Sequence, residues 1–380
     1  MRAAGFSFAV EARDGDARAG RLVTPHGVIE TPAFMAVATY GAVRGILPAE
    51  IRAVGGQILL ANTYHLHERP GEEIVARAGG LHGFAGWSGP WLTDSGGYQA
   101  FSLAHRAVLD EDGVTFASTL DGARRRLTPE SAVAIQEALG ADVAVALDHC
   151  VPTASSPGAA GDARAAWADA MERSLRWGER SANARKRTDQ ALFGILQGGA
   201  DAELRRASAR STAAQGFDGY AHGGLGLGEA GAVRAELLTA CHAELPADAP
   251  RYLMGLGKPE DLILAVDRGI DLFDCVVPTR NGRHGVLFTA RGRLSLRNAR
   301  FREDPAPPEP GCPCPACSGL SLAYLRHLFA CGDLLGPRLA SLHNLCFYSR
   351  LLAGARAAIA AGRYAAFRDE TLEATRAGDA

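Results

Sequence analysis

The stretch Ala141-Asp-Val-Ala-Val-Ala-Leu-Asp-His149 decides how this chain is read. Its apolar run is too short for a buried helix and ends abruptly on Asp148 and His149. A continuous apolar run of that length suits a strand covered on both faces, as in a parallel sheet. Runs of the same kind recur at Ala33–Thr39, Gln57–Thr63, Trp91–Gly97, Leu192–Gly199, Tyr220–Gly228, Tyr252–Gly257 and Ile270–Thr279. Between most of them lie helical patterns, with apolar residues spaced by three or four: Pro129–Leu139, Asp162–Arg185, Asp201–Gln215, Ala230–Ala243 and Pro259–Arg268. Strand and helix alternating about eight times over roughly 250 residues predict an α/β protein, a closed (β/α)8 TIM barrel and not an open doubly wound sheet.

Outward from the barrel, the residues before about position 30 predict a preceding β-hairpin. The Pro-rich segment Glu-Asp-Pro-Ala-Pro-Pro-Glu-Pro-Gly at 303–311 ends the pattern, and a helical stretch follows from Leu320 to Ala361. The expected organisation is a catalytic barrel with its hairpin over 1–302, a metal-binding subdomain with helices over 303–361, and a C-terminal helix or tail over 362–380 that completes the barrel.

Composition narrows the class. Of 380 residues, 47% are hydrophobic and 22% charged, which excludes disordered, collagen-like and coiled-coil chains. No apolar run approaches the ~18–20 residues of a membrane helix. The N-terminal segment has no secretory apolar core, so a cytoplasmic protein without a membrane partner is expected. The net charge is -2, so a nucleic-acid partner must be met by a local patch. One exists. From Arg280 to Arg302 the chain carries arginines at 280, 283, 291, 293, 297, 300 and 302, with no acidic residue between them. Solvated faces usually mix signs, so a one-sign run close after Asp274 points to phosphate contact. Lys186 and Lys258 are the only lysines, and Gly-Leu-Gly-Lys258-Pro lacks the Ser or Thr of a phosphate-binding loop.

Cys312-Pro-Cys314-Pro-Ala-Cys317 brings three thiols within six residues. In a chain read as cytoplasmic this is a metal motif and not a disulfide framework, and thiolates so spaced suit a tetrahedral Zn2+. On spacing alone, His327, Cys331, His343 and Cys346 all qualify as the fourth ligand. The motif follows the linker and lies away from the strand ends, so a structural metal is expected, one per chain.

Barrel enzymes carry their chemistry at the C-terminal ends of the strands. The residues that close the apolar runs are Asn62, Asp94, Asp148, Gln197, Gly223 with Gly224, and Asp274. Asp94, in Leu-Thr-Asp94-Ser95-Gly-Gly-Tyr98-Gln, and Asp148 suit helix capping as well as catalysis. Asp274 lies between Phe273 and Cys275, where an unpaired carboxylate is costly unless it is used. Gln197, beside two glycines, suits either a satisfied core amide or the reader of a flat polar ligand. Gly223–Gly228 lacks the spacing of a dinucleotide loop, and its glycines instead offer backbone groups to a planar ring.

Taken together, ANTYHL at 61–66, LTDSGGYQ at 92–99, ALDHC at 146–150, ILQGG at 195–199, HGGLGLGE at 222–229, YLMGLG at 252–257, FDCVVPTRNGR at 273–283 and CPCPAC at 312–317 with a later His343 resemble the tRNA-guanine transglycosylase family of bacterial type. The resemblance runs from about Phe8 to Phe367. It implies exchange of the wobble guanine of a tRNA anticodon for 7-aminomethyl-7-deazaguanine, by double displacement, in a homodimer. Asp274 would be the nucleophile at ribose C1′ and Asp94 the general acid/base. Asp148 and Gln197 would bind the pyrimidine edge, and the Gly224 backbone the carbonyl oxygen. The Leu225 carbonyl would receive the 7-substituent, Glu229 would hold that peptide, and Tyr98 and Met254 would sandwich the ring. Ser95 would line the base site, and Cys150 and Leu227 would flank the 7-substituent. Arg280 and Arg283 would meet the tRNA. Cys312, Cys314, Cys317 and His343 would hold Zn2+. Two departures stand out: His149 where the family carries Glu, which brings a titratable ring near the pocket, and Gly226-Leu227 within the glycine-rich loop. The same reaction with queuine, a non-catalytic tRNA-binding homologue and a metal-dependent barrel hydrolase are the competing readings. Retention of both Asp94 and Asp274 speaks against the second, and the cluster's place after the linker against the third.

Overall fold

The chain opens with three antiparallel strands, β1 (Ser7–Asp14), β2 (Ala17–Thr24) and β3 (Gly27–Thr31). The expected hairpin is there, extended by a third strand. In the computed structural model, which describes residues 3–103, 107–153 and 160–378, all eight apolar runs become parallel strands of one closed barrel. They are β4 (Ala33–Val37), β5 (Leu59–Ala61) and β6 (Trp91–Thr93), then, after an inserted antiparallel sheet of β7 (Val108–Leu109), β8 (Val114–Ala117) and β9 (Arg124–Leu127), β10 (Val143–Val145), β11 (Ala191–Leu196), β12 (Gly219–His222), β13 (Arg251–Leu253) and β14 (Leu272–Cys275). Each strand pairs with its sequence neighbour in the barrel, and β14 closes on β4 through Leu272–Ala33 to Cys275–Ala36. Every residue of β10 and β11 is buried, as expected for strands covered on both faces.

Local signals set the helices. Thr128 Oγ1 accepts the Ser131 N–H at 3.2 Å to start the helix Pro129–Leu139, and Gly140 at φ +73° stops it. The Asp201 side chain accepts N–H groups from Glu203 and Leu204 to start Ala202–Ala214. The remaining barrel helices called for by the sequence are Ala160–Ala184, Gly231–His242 and Pro259–Val266, within two residues of their expected bounds.

The barrel interior is filled by Met35, Leu60, Leu92, Val143, Val145, Phe193, Ile195, Tyr252 and Leu272, which form one cluster with Phe6, Phe8, Leu22 and Ile29. The N-terminal sheet therefore plugs the barrel and shares its core. After β14 come the helix Val277–Arg283 and a hairpin, β15 (Val286–Thr289) with β16 (Gly292–Ser295). The expected C-terminal helical stretch is two helices, Leu322–Cys331 and Leu335–Ala360, because Gly332 at φ +72° breaks it. The second helix ties the far end of the chain to the barrel: Asn344 Nδ2 donates to the carbonyls of Pro278 and Val286, at 2.8 and 2.9 Å, and its Oδ1 accepts the Phe288 N–H at 2.9 Å. No helix among the described residues is long and apolar enough to cross a membrane.

Candidate active site

The polar residues that close the strands meet at one mouth of the barrel, as strand direction requires. There they surround a cavity of about 240 Å3, lined among others by Asp94, Ser95, Tyr98, Asp148, Cys150, Gly224, Leu225, Leu227, Met254 and Asp274. Asp94 and Asp274 lie 180 positions apart in the chain and open onto the same space.

Asp94 follows β6 directly and is held by its neighbours. Asn62 Nδ2 donates to its Oδ2 at 2.5 Å, and the Thr63 N–H to its Oδ1 at 3.0 Å. Asn62 also starts the helix Thr63–Glu68 by accepting the His65 N–H, so one residue sets both the helix and the carboxylate. Burial pushes Asp94 up to about 7 against these hydrogen bonds, and the nearby charge of Asp274 adds to the rise. A carboxyl at that value is ready to give or take a proton at neutral pH.

Asp274, on β14, receives Tyr252 Oη at 2.6 Å and the Gly255 N–H at 2.8 Å, both on Oδ1. Oδ2 has no hydrogen-bond partner among the described residues. Burial raises its pKa, while the two donors favour the charged form. The result is a fixed carboxylate with one oxygen committed and one uncommitted.

Across the cavity, Gln197 Nε2 donates to Asp148 Oδ2 at 2.6 Å. Gln197 lies behind the lining with 1% exposure and acts on the cavity through Asp148. Burial pushes Asp148 up to about 6, against the bond from Gln197. Gly224 takes φ +70°, and a Cβ there would come 2.7 Å from Gln197 Oε1; glycine is required on both counts. Glu229 Oε1 accepts the Gly226 N–H at 2.6 Å, and its Oε2 accepts Thr153 Oγ1 at 2.7 Å. That N–H belongs to the Leu225–Gly226 peptide, so Glu229 fixes the direction of the Leu225 carbonyl. Burial, with Asp148 alongside, raises the Cys150 thiol to about 12, and it stays protonated.

Comparison with known proteins gives this arrangement a family. The family model described as queuine tRNA-ribosyltransferase matches residues 14–377. The chain belongs to the queuine tRNA-ribosyltransferase family. It is 53% identical over 365 residues to the queuine tRNA-ribosyltransferase of Stenotrophomonas maltophilia, covering 95% of each chain. It is 54% identical to that of Thermus thermophilus, covering 96% of this chain and 93% of the other. Against that of Xanthomonas euvesicatoria the identity is 52%, covering 95% and 94%.

Away from the cavity of this family member, Cys312, Cys314, Cys317 and His343 are buried with their ligand atoms within 4.8 Å of one another. The His343 Nδ1 to Sγ distances are 3.8, 3.4 and 3.3 Å, close to the edges of a tetrahedron around an ion bound at ~2.0–2.3 Å. His343 Nε2 bonds the Phe288 carbonyl at 2.8 Å, which presents Nδ1 to the thiols. This group could hold a metal ion. Of the other candidates on spacing, Cys346 lies 3.8 Å from Cys312 as a neighbour, and His327 and Cys331 pair with each other near the surface.

Arg280 and Arg283 sit on the helix that follows Asp274, outside the lining of the aspartate cavity. Neither forms an ion pair among the described residues. Burial lowers the Arg283 pKa, and the charges of Arg44 and Arg280 lower it further. Arg44, from the loop after β4, therefore belongs to the same positive face, and nothing in its sequence neighbourhood marked it. His149 is turned out of the cavity lining: Arg173 Nη1 lies 3.0 Å from its Nδ1, and burial, then Arg173, lower its pKa. Thr63, within ANTYHL, and Tyr252 and Gly255, within YLMGLG, had no role assigned from sequence, yet they touch the carboxylates.

Proposed function

We propose that this protein exchanges guanine at the anticodon wobble position of tRNA for 7-aminomethyl-7-deazaguanine, by double displacement through a covalent tRNA–aspartyl intermediate. The observation that carries this reading is the shared cavity of Asp94 and Asp274. Replacing one base by another at the same sugar carbon, with configuration kept, needs two inversions, as in retaining glycosidases. In the first, Asp274 Oδ2 bonds to C1′ while the bond from C1′ to the ring nitrogen breaks, and Asp94 delivers its proton to that nitrogen. In the second, the incoming base gives its ring N–H proton to Asp94 and attacks C1′, which releases Asp274. Proton shuttling of this kind contributes ~10²–10⁴-fold, and an Asp94 near 7 serves both directions.

Ionised Asp148 accepts the N–H groups of the pyrimidine edge, Gln197 orients it, and the Gly224 N–H meets the carbonyl oxygen. Tyr98 and Met254 cover the ring, and Ser95 lines its edge. The aminomethyl group is a cation near neutral pH and suits the Leu225 carbonyl that Glu229 holds in place, with Cys150 and Leu227 alongside. An unpaired loop lets the target base leave its stack at low cost, and Arg280 and Arg283 hold the flanking phosphates. The Cys3His group holds a structural Zn2+, which supplies cross-linking and no chemistry at the sugar. Through His343 and Asn344 it fixes the segment that carries the arginines. Two such chains form the working homodimer.

The test is incubation with unmodified tRNA and labelled guanine, followed by separate chases with 7-aminomethyl-7-deazaguanine and queuine. Uptake of label and its displacement by the aminomethyl base are expected. Displacement by queuine alone would reassign the incoming base, and no uptake would reject the reading.

A further inference from the structure

Behind the Gly223–Gly224 segment of the cavity wall lies Arg205, wholly buried on the helix Ala202–Ala214. Its Nε donates to the Gly199 carbonyl at 2.9 Å, and its Nη1 to the carbonyls of Leu196 at 3.0 Å and Gly223 at 2.8 Å. Nη2 has no hydrogen-bond partner, and no carboxylate pairs with the guanidinium, among the described residues. A Cβ built on Gly224 would come 3.6 Å from Nη2, so the cation lies against that backbone. Burying a charge without a counter-ion is expensive, and a neutral donor could satisfy carbonyls at less cost. Burial lowers the Arg205 pKa, yet a guanidinium keeps its proton in proteins.

The carbonyl of Gly223 and the N–H of Gly224 belong to one peptide. A charge-assisted bond to the oxygen polarises the group and strengthens its N–H as a donor on the other side. As the glycosidic bond breaks, its electron pair passes to the base and spreads onto the base's carbonyl oxygen until Asp94 delivers its proton. A preorganised dipole aimed where charge develops is worth more than one that must reorient. We propose that Arg205 is a positioning residue for base exchange, which acts through the Gly223–Gly224 peptide to stabilise negative charge on the carbonyl oxygen of the bound base. This rests on the reading of Gly224 as the donor to that oxygen.

The test measures inhibition of labelled-guanine exchange by unlabelled guanine and by 2-aminopurine, which keeps the exocyclic amine but lacks the carbonyl and the N1–H that Asp148 accepts; the N1–H is missing alike for every variant, so a change in preference between variants reads the carbonyl. The two are compared in wild type, Arg205→Gln and Arg205→Lys. In Arg205→Gln the preference for guanine over 2-aminopurine is expected to fall by ~10-fold, with lower kcat and unchanged KM for tRNA. Arg205→Lys, which restores the charge without the three-way fork, should recover part of the preference but not all. A merely structural role would weaken both bases alike. An unchanged preference in folded Arg205→Gln, or in Arg205→Lys if only that variant folds, overturns the inference. Failure of wild type to take up guanine would instead reject the function proposed above.

Discussion

Replacing Asp94 by Asn separates the catalytic role of this residue from its cost to the fold. The folded-state value of about 7 lies above the ordinary value of 3.8, so the folded protein binds this proton more tightly than the unfolded chain. Stability from this group is therefore full below about pH 4, and it drains away as pH rises through 7. A gap of about 3 between the two values corresponds to up to ~4 kcal/mol. Asn is neutral at every pH, but its single oxygen can accept either the Thr63 N–H or the Asn62 and Gln99 amides, so the substitution carries a fixed cost of ~1–3 kcal/mol that does not vary with pH. Denaturant unfolding of both proteins at about pH 5 and about pH 8 reads the effect. Between about pH 5 and about pH 8 the wild type should lose ~1–4 kcal/mol of stability that the variant keeps, because near pH 5 only the unfolded carboxyl is ionised and near pH 8 the buried one must ionise too, while base exchange in the variant falls by at least ~100-fold. Equal pH dependence in the two proteins would refute the claim that burial and Asp274 hold this carboxyl near neutrality. Normal exchange in the variant would remove Asp94 from proton transfer.

Two other perturbations address the periphery. Metal analysis should find about one zinc per chain, lost on Cys314→Ser together with several degrees of melting temperature; a metal-free wild type that melts like the purified protein would refute the site. Replacing Arg280 and Arg283 by Gln should weaken tRNA binding and reduce the slope of log affinity against log salt by about 1.4, at ~0.7 for each single-strand phosphate contact. An unchanged slope would move the tRNA elsewhere on the surface.

The barrel was legible because strands covered on both faces leave uninterrupted apolar runs, and all eight were visible. The inserted sheet was not: β7 is two residues long, and Arg124-Arg125-Arg126 on β9 reads as a charge run and not as a strand. The glycine that divides the C-terminal helices, Gly332, lies inside a helical periodicity whose break only its left-handed φ reveals. In the site, residues that close strands announced themselves, since polar groups at the ends of apolar runs are conspicuous. Their partners did not. Tyr252 looks like a core aromatic and touches Asp274 only because β13 lies beside β14. Arg205, in Ala-Glu-Leu-Arg-Arg-Ala, looks like one more arginine of a surface helix, and only the turn of that helix toward β11 buries it. His149 shows the reverse. Its place next to Asp148 suggested a part in the pocket, but Ser174 Oγ accepts its N–H at 2.9 Å and Arg173 engages its ring outside the lining.

The proposed base exchange turns on a covalent bond between Asp274 and the ribose of the target nucleotide. Mixing enzyme with tRNA, removing released guanine and separating the products under denaturing conditions should give a tRNA–protein adduct that maps by mass spectrometry to the peptide containing Asp274. The adduct should vanish on addition of 7-aminomethyl-7-deazaguanine and never form in Asp274→Asn. Exchange without any adduct, or an adduct on Asp94, would contradict it.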